Sequence, residues 1–110
     1  MWFIFPQIKG LGHSPTSQHF AIQNLEEAAA YLAHPVLSKR LIECTQALLA
    51  LENISAEEIF GYPDYLKLRS SLTLFEEAAG GNTVFSQAIE KYFQGQRDER
   101  TLELLKEQAR

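Results

Sequence analysis

The sequence predicts an all-α domain, and three observations carry that prediction. Helix-start chemistry recurs along the chain: Asn24 with Glu27, Ser55 with Glu58, then Asp64 and Asp98. Each sets an oxygen acceptor ahead of a run with helical spacing, where it can take the orphan first-turn amides. Second, Leu37, Leu41, Cys44, Leu48 and Leu51 fall at alternating steps of four and three, the repeat of one helix face. Third, no two alternating apolar runs are joined by the turn residues of a β-hairpin.

The elements follow in order. Trp2 to Phe5 reads as extended, and residues 6–17, punctuated by Gly10, Gly12 and Pro15, read as a loop. Residues 19–22 form a short extended piece. Asn24 opens a helix over residues 25–33 that stops before Pro35, because the residue preceding a proline is pushed out of the helical region. Pro35 then starts the leucine-striped helix. Ser55 and Glu58 open a short helix that Gly61 ends. Asp64 caps the next helix, which reaches Ala79 and stops at Gly80-Gly81, with Leu68, Leu72, Phe75 and Ala79 as its core stripe. Asn82 begins a helix that Gly95 terminates, and Asp98 caps the last, to about Gln108.

At 110 residues the chain predicts a single domain, 1–110. A net charge of −4 without a basic tract argues against duplex nucleic acid, whose binding rests on many Lys/Arg–phosphate contacts. One cysteine, Cys44, allows no internal disulfide and points to a reducing compartment. Nothing approaches a membrane span. These features predict a cytoplasmic protein with no membrane partner. The apolar opening block is expected to pack against this domain's own core, or else an element that would cover it is missing and a second copy of the chain, making a homo-oligomer, or a partner covers it instead.

The candidate site centres on the helix that starts at Asp64. Lys67 lies three residues from Ser70 and four from Ser71, so the three share one side. An ammonium and two hydroxyls near the positive end of a helix can hold a phosphate. The same residues also read more plainly, as a cap and a solvated surface. The glycine segment supplies a second candidate. Gln7, Gly10, Gly12 and Ser14 stand where backbone amides could cradle an anion, although the ending of a Walker loop is missing. Plain turn geometry explains those glycines equally well. His13, His19 and His34 lack ligand spacing, so no metal and no cofactor are expected. Glu76 and Glu77 read as solvated, Cys44 as a small buried hydrophobe, and no catalytic carboxylate pair stands out.

Several blocks carry a family resemblance: Trp2-Phe3-Ile4-Phe5-Pro6-Gln7, Gly10-Leu11-Gly12-x-Ser14, Tyr31-Leu32-x-His34-Pro35, Lys67 with Ser70-Ser71-x-Thr73-Leu74-Phe75, and Asp98-x-x-Thr101-Leu102. Together they resemble an uncharacterised bacterial family, domain of unknown function 1810, sometimes labelled calpastatin-like. That family is similar to the YbiA-like, or NADAR, group. The resemblance implies a compact multi-helix YbiA-like domain with an N-terminal aromatic, glycine-rich loop segment. It also implies a helical segment ahead of the Trp-Phe-Ile-Phe block, and the expectation is a single domain without that segment. The expectation is a phosphate- or nucleotide-sugar-binding pocket lined by Gln7, Gly10, Gly12, Ser14, Asp64, Lys67, Ser70 and Ser71, with a phosphorylated ribose or nucleotide as ligand. Two alternatives stand beside it: an N-glycosidase acting on ADP-ribose or ribose-phosphate conjugates, and a non-catalytic interaction module.

Overall fold

Local capping chemistry sets most element boundaries. The computed structural model describes residues 5–11, 15–19, 21–81 and 83–108. Among them it contains α1 (Pro15–His19), α2 (Leu25–Ala33), α3 (Pro35–Ala50), α4 (Ala56–Phe60), α5 (Asp64–Ala79), α6 (Val84–Phe93) and α7 (Glu99–Gln108). No strand forms among these residues. One isolated parallel bridge joins Ile8 to Ile22, closed by Ile22 N–H to the Gln7 carbonyl and Lys9 N–H to the Ile22 carbonyl, both 2.7 Å.

The start signals act largely as their chemistry requires. The Asn24 side chain accepts from the Glu27 amide at 2.8 Å, while the Glu27 carboxylate reaches one residue further back than expected, to the Gln23 amide. Ser55 and Glu58 form the full reciprocal box. Pro35 takes the first position of α3, and His34 Nδ1 accepts from the Val36 and Leu37 amides at 3.2 Å. At the other end of α5, Gly80 adopts a left-handed conformation (φ 85°) that lets Gly81 N–H reach back to the Glu76 carbonyl.

Four boundaries differ from the sequence expectation. Part of the supposed loop is helical, because Pro15 presets the helical φ for α1, and His19 therefore belongs to a helix. Asp64 does not cap α5: Pro63 occupies the cap position, and Asp64 sits inside the first turn. Thr83 stands at the cap of α6, whereas Asn82 lies outside the described residues. That helix ends at Phe93, and Gln94 (φ 57°), not Gly95, is its left-handed cap.

The larger correction concerns α5. It packs against α2, α4, α6 and α7, which cover its middle apart from Arg69. Every residue from Leu68 to Glu76 except Arg69 is buried. Leu68, Leu72 and Phe75 are core as expected, but Leu74 joins them and Ala79 is exposed. The Phe75 ring packs between Tyr31 of α2 (5.2 Å) and Phe85 of α6 (5.9 Å). On α3, Leu41 and Leu48 are buried, Leu37 and Cys44 half-buried, and Leu51, past the helix end, exposed. Phe5 is buried edge-on against Phe60 at 6.3 Å, so that part of the apolar opening packs into this domain; Trp2, Phe3 and Ile4 lie outside the described residues.

Burying so much of α5 places polar side chains in the core. A buried helical serine or threonine meets its needs by bonding the carbonyl one turn back. Ser70 does so to Leu66 (3.2 Å) and Thr73 to Arg69 (2.8 Å), but among the described residues the Ser71 hydroxyl finds no partner. Thr73 Oγ1 also accepts from the Asp98 amide at 2.9 Å. Ser71→Ala should therefore leave thermal stability unchanged or raise it. Thr73→Val, which orphans the Asp98 amide, should cost about 1–3 kcal/mol. Urea melts of both variants check this contrast.

Candidate functional site

The eight residues singled out by sequence fall into different environments. Asp64 and Lys67 form an ion pair on the first turn of α5, Oδ1 to Nζ 3.2 Å. Ser70 and Ser71, one turn further on, are buried in the core and do not extend this pair into a solvent-facing cluster. Their short side chains on a helix enclosed by four neighbours leave no route to the surface. Gln7 is buried and its backbone carbonyl is spent on the Ile8–Ile22 bridge. Gly10 is exposed with φ 107°, and a Cβ there would stand 3.3 Å from Leu104 of α7. A glycine at this position thus lets the backbone approach that helix closely. Gly12 and Ser14 lie outside the described residues.

The densest polar geometry lies elsewhere, where the segment after α6 crosses the second half of α5. Arg97 meets Glu76 side-on, Nε to Oε1 2.8 Å and Nη2 to Oε2 2.6 Å, while Nη1 donates to the Gly95 carbonyl at 2.7 Å. Glu90 stands 3.7 Å from the same guanidinium. The Glu76 side chain is only 8% exposed, so the solvated reading of that residue is overturned. Hydrogen bonding from Arg97 holds its carboxyl below the ordinary value of 4.5; burial opposes this, and Ser86 and the charge of Arg97 reinforce it.

One residue on, Asp98 caps α7 as its sequence position predicts. Its Oδ2 accepts from the Thr101 amide (2.9 Å) and hydroxyl (2.6 Å), and its Oδ1 lies 3.7 Å from Arg69 Nη2. Arg69 projects over the Phe93 ring, 5.9 Å from guanidinium carbon to centroid. Its Nε is buried and finds no acceptor among the described residues. Arg100 is exposed and contacts Glu103 at 3.2 Å and Glu107 at 3.8 Å along its own helix.

These groups border two surface depressions. One, of about 620 Å³, lies over Glu76, Glu77, Ser86, Glu90 and Arg97. The other, of about 740 Å³, surrounds the start of α7 and gathers Arg69, Arg97 and Arg100 beside Asp98, Glu99 and Glu103. Neither is lined by Lys67, Ser70, Ser71, Gln7 or Gly10. The arginine corner was hidden in the sequence because its members sit 28 and 3 residues apart (69 to 97, 97 to 100). The one legible signal was Asp98, whose capping position fixes where that corner forms. Among the described residues no group of three or more His, Cys, Asp or Glu could hold a metal, and no helix is long and apolar enough to cross a membrane.

Comparison with known proteins gives the same outline. Residues 1–105 match the family described as "Protein of unknown function (DUF1810)". The crystal structure of the conserved hypothetical protein Rv1873 from Mycobacterium tuberculosis is similar, with a TM-score of 0.92 and 50% sequence identity over 94% of this chain and 74% of that one. No curated protein matches at a significant level.

The Glu76–Arg97 pair sets a pH dependence. The folded carboxyl lies below its unfolded reference of 4.5, so its stabilisation is complete above that value and is lost as pH falls through the folded value. Arg97 is a third exposed, so Glu76→Gln should cost roughly 2 kcal/mol near neutrality, less than the 3–5 kcal/mol of fully buried pairs. The gap from wild type should close towards pH 3. Denaturant unfolding across pH 3–7 measures it.

Proposed function

This chain belongs to the DUF1810 family, and from its geometry we propose that it binds a small phosphorylated ligand, of the ribose-phosphate or nucleotide-sugar class, at the start of α7. The observation that carries the reading is Arg69. Its guanidinium lies on an aromatic ring and meets the Asp98 carboxylate only at 3.7 Å, while its neighbour Arg97 is committed to Glu76 and Gly95. Arg100 completes the corner, more than half exposed and tied only to carboxylates on its own helix. Two forked cations beside a helix N-terminus match the oxygens of a phosphate. A volume of about 740 Å³ suits a ligand of sugar-phosphate size.

This reading moves the phosphate role from Lys67, Ser70 and Ser71 to the arginines. Lys67 and Arg69 are two apart on one helix and so point to opposite sides. The N-glycosidase alternative implied by the YbiA-like resemblance needs a carboxyl poised to donate a proton. Glu76, the most enclosed carboxylate of the region, is shifted the opposite way. The interaction-module alternative draws on Tyr62, 76% exposed beside Tyr65 at 6.2 Å.

Calorimetric titration with ribose 5-phosphate and ADP-ribose separates these readings. Wild type should bind at least one of them, Arg100→Ala should weaken it about tenfold by loss of a charge-assisted bond, and Lys67→Ala should leave it unchanged. Loss in Lys67→Ala alone would return the site to the first turn of α5. No heat from either compound would remove the reading.

A further inference from the structure

The joint between α3 and α4 is fastened from another helix. The last carbonyls of a helix have no intrahelical donor, and residues 51–55, which follow α3, are exposed throughout. Two side chains of α6 reach this end. Lys91 Nζ donates to the Leu49 carbonyl at 2.6 Å and to the Leu51 carbonyl. The Tyr92 hydroxyl donates to the Leu48 carbonyl, and burial pushes that phenol up, keeping it a donor. An ammonium here also faces the negative end of the α3 dipole. Within the joint the holds are local: Leu51 N–H to the Leu48 carbonyl at 3.3 Å and the Ser55–Glu58 box, with Asn53 in a left-handed conformation (φ 58°) between them. Lys91 itself is exposed at the surface.

We infer that Lys91 is a charge-dependent latch on this joint, and that acylation of its Nζ by an acyl phosphate or a thioester unfastens the end of α3 while the α5 core stays closed. In that step the amine, having given one proton to solvent, attacks the acyl carbon. A C–N bond forms, the C–O or C–S bond breaks, phosphate or thiol departs with the electron pair, and the second proton passes to solvent. The product amide carries one N–H where the ammonium had three, and no charge. It can hold one carbonyl of the pair at most and no longer complements the helix dipole.

Hydrogen exchange read by mass spectrometry tests this on wild type, Lys91→Arg, Lys91→Gln and wild type treated with acetyl phosphate. Amides of residues 48–54 should exchange about tenfold faster in Lys91→Gln and in Lys91-acetylated protein. Lys91→Arg, which keeps charge and donors, should stay near wild type, and amides of residues 68–76 should be unaffected in all four. Equal exchange at residues 48–54 in every sample would overturn the latch, as would a parallel rise at residues 68–76, which would make Lys91 a global stability residue. If acetyl phosphate modifies Lys39 and Lys106 but spares Lys91, the acylation step fails.

Discussion

The structure depends on one constraint: the middle of α5 is enclosed, Arg69 apart, although it contains Ser70, Ser71, Thr73 and Glu76. Enclosure brings apolar gain from Leu68, Leu72, Leu74 and Phe75, each worth on the order of 2 kcal/mol when fully buried. It also favours a partner away from water for each polar group, a demand met at Ser70, Thr73 and Glu76 and, among the described residues, unmet at Ser71. Ser70 and Thr73 turn to carbonyls of their own helix, and Thr73 and Glu76 require the chain to come back. Asp98 N–H and the Arg97 fork are what return. The segment between α6 and α7 is thus positioned by the needs of the core, and the arginine corner is a consequence of that placement.

Much of the architecture was legible because helix boundaries are local chemistry. Asn24, Pro35, Ser55, Gly61, Gly80 and Asp98 act through neighbours within four residues, and a one-dimensional reading holds all of that information. What failed was sidedness. Lys67, Ser70 and Ser71 share a face by spacing, but spacing cannot say whether that face meets water or another helix. A serine on α5 looks the same in sequence whether its hydroxyl points to solvent or back to Leu66. Glu76 misled in the same way, since its partner is 21 residues away. The short α1 was missed because a five-residue helix lacks the two turns on which periodicity can be seen.

The functional reading moved with that correction. Once Ser70 and Ser71 enter the core, Lys67 stands apart from them in an ion pair with Asp64. Cationic capacity concentrates instead at Arg69 and Arg100, where long side chains can reach outward from positions whose backbones serve the core. The same turn of α5 therefore holds buried Leu68 and Ser70 on either side of a partly exposed arginine.

Native-state hydrogen exchange along α5 and the 94–101 segment probes the enclosed helix most directly. If enclosure of α5 governs the structure, amides of residues 68–76 exchange slowest in the chain, and those of Asp98 and Thr101 open in the same cooperative unit under mild denaturant. Contradiction would be plain: α5 amides exchanging ahead of those in α3 and α6, with Asp98 opening independently of Thr73.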